Sequence, residues 1–206
     1  MTTGQWFTAP DGHRWWFDSG STALDFAYTG SMSSIEPDAR ERLGSPADLA
    51  DWLSDRFPAA DGTVTERDLV DATAFRDAIA RAAIAVAHGR SIDAGDVDVI
   101  NLFAATPDIA PALGGGSRQA GRSTVRAAQA LSSMAREAVR LFGTGHDRLR
   151  ECDADDCRLV FYDESRANTR RWCSMQRCGN RAKVRAHRAR GSRSDGTVPP
   201  GPTATR

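Results

Sequence analysis

No apolar stretch in these 206 residues approaches the roughly 18 to 20 needed to cross a bilayer. The first residues also lack a basic run followed by an apolar one. The expectation is a cytoplasmic protein with neither a membrane span nor a secretion signal. Lysine is almost missing: Lys183 is the single one among 27 basic residues. Arginine suits bidentate phosphate and guanine contacts, but genomic base composition explains the bias as readily. Catalytic signatures are missing too. No His–Glu pair stands at metalloprotease spacing, and Gly114-Gly115-Gly116-Ser117-Arg118 lacks the spacing and the Gly-Lys-Ser/Thr ending of a phosphate-binding loop. No catalytic residue is assigned, and a non-enzyme is expected. Cysteine is absent from the first 151 residues, and all four fall between 152 and 178. In a reducing compartment such a cluster points to metal rather than to a disulfide framework.

The formal net charge of zero conceals an asymmetry. Residues 1–157 hold 15 Arg against 24 Asp and Glu, net −9, whereas residues 158–206 hold 12 basic against three acidic residues, net +9. An acidic body with a basic end suggests a polyanion partner for that end; a solvated face, or docking of the end onto the body in cis, is the plainer alternative.

The acidic body reads mainly as helix. Ser45-Pro46-Ala47-Asp48 supplies a capping hydroxyl, a first-turn proline and a carboxylate, predicting a helix over about 46–56. Leu69, Ala72, Phe75, Ile79, Ala82, Ala83 and Val86 recur at spacings of three and four, predicting a second over 66–88. Asp93 caps a third that ends before Pro107, and Val125 to Phe142 carries the apolar stripe of a fourth over about 122–142. A Pro- and Gly-rich loop separates the last two. His13-Arg14-Trp15-Trp16-Phe17 favours a strand, while Leu24 to Tyr28 fits a strand or a helix start. Trp15, Trp16, Phe17 and Phe26 could line a small-molecule pocket, though core packing accounts for them more simply. Asp25 reads as a satisfied buried carboxylate.

Four residues separate Cys152 from Cys157, as they do Cys173 from Cys178, with fifteen residues between the pairs. Two close pairs of thiolates brought together by a hairpin suit tetrahedral Zn2+. Arg158 to Tyr162 and Thr169 to Trp172 read as the two strands of that hairpin, joined by a turn over 163–168. The segment after Cys178 holds good helix formers and no proline. Knuckle, hairpin and helix make a treble-clef-like finger. On its helix Ala182, Ala186 and Ala189 share the face of Cys178 and should pack on the knuckle. Arg177, Arg181, Arg185 and Arg188 form one cationic stripe, with Lys183, His187 and Arg190 forming another. Trp172 is expected to shield the metal. Four cysteines fill a zinc site, so the ion would be structural, and the finger keeps a net positive charge even when metallated.

The segment running through Trp172-Cys173 to Cys178-Gly179-Asn180-Arg181 resembles the CGNR zinc-finger family over about 148–190. The body, through Leu24-Asp25-Phe26 and its helical pattern, is similar to the ABATE domain that precedes this finger; Tyr28 stands where many members carry asparagine. The resemblance implies a zinc site at Cys152, Cys157, Cys173 and Cys178 and a transcription regulator that binds DNA. The expected fold is mainly α, with one or two short strands in a helical domain over 1–146, the finger over 147–190, and a disordered tail over 191–206. Contacts with duplex DNA are expected from Arg170, Arg171, Arg177, Arg181, Lys183, Arg185, Arg188 and Arg190. RNA binding and protein interaction are the alternatives, since a basic finger does not by itself distinguish its polyanion.

Overall fold

The computed structural model describes residues 3–8, 12–30, 32, 41–57, 63–111, 113 and 125–194. The glycine-rich loop over 114–118 and the tail beyond 194 lie outside them. Two antiparallel strands, β1 (Gln5–Thr8) and β2 (Arg14–Phe17), are followed by helices α1 (Thr22–Ala27), α2 (Pro46–Arg56), α3 (Glu66–Ala87), α4 (Ala94–Ala104) and α5 (Ala127–Gly143). A short pair, β3 (Leu149–Glu151) and β4 (Val160–Tyr162), and a long helix α6 (Asn180–Ser194) complete the finger. The fold is mainly α, as expected. Among the described residues no helix is long and apolar enough to cross a membrane.

Capping fixes the helix starts. Ser45 accepts from the Asp48 amide with Pro46 at the first position, Thr65 and Asp68 form a reciprocal capping box, and Asp93 accepts from the Gly95 amide. Leu24–Tyr28 resolves as helix. Ser21 caps α1, and Glu137 of α5 accepts from the Thr22 and Ala23 amides at 3.1 Å each. Six residues are too few for a helix to stand alone, and these borrowed acceptors satisfy donors that its first turn cannot. Asp25 is buried; its carboxylate accepts from the Gly4 amide and the Ser19 hydroxyl, both at 2.6 Å, tying β1 to α1. Burial pushes the Asp25 carboxyl up to about 6, against the downward pull of those two bonds.

Phe7, Trp15, Phe17 and Phe26 are buried core residues, whereas Trp16 faces outward. The core runs without a break across residue 147, from Phe7, Leu24 and Phe75 to Leu149, Leu159 and Phe161. Polar ties follow the same seam. The Tyr28 hydroxyl donates to the Val160 carbonyl at 2.9 Å and accepts from its amide at 2.7 Å, as a neighbouring strand would. The Tyr162 amide donates to the Ser19 carbonyl at 2.8 Å.

The finger's hairpin uses strands other than those predicted. β4 pairs with β3, which precedes the first knuckle, and not with residues 169–172. Asp163 is the cause: buried, it accepts from the Ser165 and Arg170 amides at 2.9 and 2.8 Å and turns 163–170 into a loop. The predicted small-residue face of α6 also fails to pack along its length. Ala182 is partly covered, but Ala186 and Ala189 are exposed. The knuckle reaches only the first turns, as far as Arg185, so α6 projects beyond it and continues past Gly191 to Ser194.

Candidate metal centre and basic helix

The loop between β3 and β4 carries the first pair of thiols, held by the Cys152 amide donating to the Leu159 carbonyl and the Cys157 amide to the Ala154 carbonyl, each at 2.9 Å. Of the second pair, Cys173 precedes and Cys178 lies within a wide helical turn over Met175–Gly179, opened by the Ser174 hydroxyl accepting from the Gln176 amide. A bond from the Asp153 amide to the Arg171 carbonyl at 3.0 Å draws the two knuckles together. The Sγ atoms of Cys152, Cys157, Cys173 and Cys178 lie within 4.8 Å of one another, all four buried and free. Cys173 sulfur is 3.6 Å from that of Cys157 and 3.5 Å from that of Cys178. Four zinc–sulfur bonds of about 2.3 Å in a tetrahedron set sulfurs about 3.8 Å apart, so a zinc-sized cation fits this donor set.

Four buried sulfurs so close cannot all ionise without a cation. The Cys157 and Cys173 thiols are driven up, first by the Cys152 sulfur and also by burial. The Cys178 thiol is driven down, first by hydrogen bonding from Cys152 and in smaller part by Arg181, whose Nη2 donates to its sulfur at 3.3 Å. Gly179 is tightly covered: a Cβ there would sit 2.6 Å from the Met175 sulfur, displacing that side chain, and 3.3 Å from the Trp172 ring. Trp172 thus packs beside the metal site, as its position in sequence suggested.

Residues 148–191 match the model of the CGNR zinc finger, and residues 20–145 match that of the ABATE family, described as "Putative stress-induced transcription regulator". The chain belongs to the ABATE family and carries a CGNR zinc finger. No curated protein matches it. By donor set and family, the buried four-cysteine cluster of this ABATE protein is a metal-binding site.

The eight predicted nucleic-acid residues divide sharply. Arg170 is turned inward: its Nη2 donates to the Asp18 and Cys173 carbonyls at 2.7 and 2.6 Å, its Nε donates to the Trp172 carbonyl at 3.1 Å, and its guanidinium stacks on Phe161. Arg177 lies over Trp15, 3.9 Å from the ring centre. The first knuckle, rich in aspartate, takes three more. Asp153 pairs with Arg171 at 2.7 Å, Asp156 receives both ends of Arg181 at 2.7 and 3.2 Å, and Asp155 meets Arg185 at 3.3 Å. Lys183, Arg188 and Arg190 are exposed and form no ion pair among the described residues. Sequence spacing placed these cations on stripes of one helix but carried no sign of the carboxylates 25 to 30 residues earlier that hold Arg181 and Arg185.

Proposed function

We propose that this ABATE protein is a zinc-dependent regulator that binds duplex DNA through the unpaired cations of α6. In this reading Cys152, Cys157, Cys173 and Cys178 hold a structural Zn2+, which supplies the folding free energy of a short finger and no chemistry. Lys183, Arg188 and Arg190 contact phosphates. The observation that carries the proposal is the exposed α6, about 22 Å long for its fifteen residues, with unpaired Lys183 near its start and unpaired Arg188 and Arg190 beyond the acidic knuckle. Arg171, Arg177 and Arg185 flank the contact, and Arg170 is structural. A sensing role for the body falls on the polar cleft of about 400 Å3 at the seam, lined by Glu137, Arg140, Arg148 and Glu164, because the core consumes Trp15, Phe17 and Phe26.

The test is fluorescence anisotropy of the zinc-loaded full chain on mixed-sequence duplex DNA, against a variant combining Lys183→Glu, Arg188→Glu and Arg190→Glu. The expected result is binding by the parent at low salt and a loss of at least about tenfold in the variant. Equal affinities would overturn the placement. A specific observation favours a second reading: α6 already meets carboxylates through Arg181 and Arg185, so an acidic protein partner suits the same surface. No binding to duplex DNA or to structured RNA, with salt-sensitive capture of an acidic peptide, would select it.

A further inference from the structure

The outer face of the N-terminal hairpin is aromatic without being core. Alternation sends Phe7, Trp15 and Phe17 inward and leaves Trp6 and Trp16, paired across the strands, 53% and 38% exposed. Two exposed tryptophans on strands of four residues are an expense in apolar surface that packing does not explain. Their rings meet edge to face at 5.6 Å, and the Arg14 guanidinium lies over Trp6. Trp16 is also held from behind. Gly4 has φ of +103°, and a Cβ there would stand 2.6 Å from the Trp16 indole, so this ring lies across bare backbone that only glycine supplies.

Trp16 forms one wall of a cleft of about 570 Å3 whose other walls come from the second knuckle: Arg171, Trp172, Met175 and Gln176, with Asp18 at the base of the hairpin. Met175 is 51% exposed, and the Arg171 guanidinium lies 5.0 Å from the centre of the Trp172 ring. Body and finger thus supply one indole each to a cleft that adjoins the start of the basic helix. Aromatic rings beside an arginine, here Arg171, which Asp153 also holds, are the chemistry that receives a nucleobase together with its phosphate. A duplex hides its base faces by stacking, so only an unpaired base offers this cleft a π-face.

We propose that the cleft between Trp16 and the second knuckle takes an unpaired nucleotide of single-stranded DNA flanking the duplex held by α6. This rests on the DNA-binding reading above. The hairpin of the body then becomes part of the nucleic-acid surface, and the protein prefers a duplex end, gap or opened site to continuous duplex.

The experiment compares the zinc-loaded full chain on a blunt duplex and on the same duplex with a four-nucleotide single-stranded tail at the 5′ or 3′ end. Affinity is read by anisotropy and stacking by tryptophan fluorescence. One base stacked between indoles predicts about tenfold tighter binding to one of the tailed duplexes, with quenching. Trp16→Ala should erase that gain while leaving blunt-duplex affinity unchanged, Trp16→Phe should keep part of it, and Met175→Ala, at an exposed position, should reduce it. Tight blunt-duplex binding with no gain from either tail would overturn this proposal and leave the DNA-binding reading standing. Quenching by a free nucleotide with no gain from a tail would make the cleft a small-molecule site and overturn it too. Failure to bind any of the DNAs would remove both readings together.

Discussion

The two knuckles that converge on one metal site are opposite in charge. The first carries Asp153, Asp155 and Asp156, while the second and the helix that follows carry Arg171, Arg177, Arg181 and Arg185. Where they face each other the charges clasp, so the metal end of the finger is largely neutralised from within, and among the described side chains of α6 the uncompensated cations are Lys183, Arg188 and Arg190. A net charge counted over the whole finger therefore overstates the cations free to meet a polyanion. The acidic knuckle also explains why basic residues can crowd a site of four thiolates: Arg181 answers both the Cys178 sulfur and Asp156.

The most disruptive way to break the contrast is to remove the metal. Cys178→Ser, or chelation, should abolish metal stoichiometry and release the whole finger, since a closed four-cysteine site folds with its ion. Because the core is continuous across the seam, the thermal transition of the body should fall as well; circular dichroism would register both. An unchanged body transition would mean that the two regions are stabilised separately.

Arg170→Ala comes next and attacks the structural side of the comparison. Three backbone carbonyls lose their donor, and Phe161 loses its stacking partner. A loss of about 2 to 4 kcal/mol in denaturant unfolding is expected. Charge reversal at Lys183, Arg188 and Arg190 should do the opposite, weakening DNA binding while moving stability by only about 0.5 kcal/mol, the usual scale for exposed positions.

The smallest effect sharpens the contrast instead of breaking it. Asp155→Asn with Asp156→Asn frees Arg185 and Arg181 for phosphate. Duplex affinity should rise by roughly three- to tenfold at low salt, at little cost to the fold, because both pairs are solvent-exposed and worth about 0 to 1 kcal/mol each. Weaker binding in this variant would show that the aspartates orient the arginines for DNA and do not compete with it.

Local signals in the chain carried most of the fold. The starts of α2 and α4 followed from Ser45 and Asp93, whose caps act within a few residues, and α3 from its apolar spacing, its Thr65 cap going unread. The clustering of four cysteines in one short window was equally local. What sequence could not show was long-range. α1 depends on Glu137, 115 residues away from Thr22, and nothing around Leu24 announces that acceptor. The hairpin of the finger was assigned to the wrong return strand because residues 169–172 have strand-like composition, while Asp163 bends the chain before they can pair. β1 was missed, although Gln5-Trp6-Phe7-Thr8 alternates buried and exposed positions. Arg170 looked like one more surface cation because its targets are backbone carbonyls, which leave no trace in sequence.

The central claim is that, among the described cations of α6, those not held by the acidic knuckle are the ones available to DNA, and the salt dependence of binding tests it most directly. Anisotropy titrations of the zinc-loaded full chain on mixed-sequence duplex DNA give the slope of log affinity against log salt. Three free cations predict about −3, steepening toward about −5 in the variant combining Asp155→Asn and Asp156→Asn as Arg181 and Arg185 join the contact. A parent slope already near −5, unchanged by that variant, would contradict the account: the acidic knuckle would then not shield the arginines it touches.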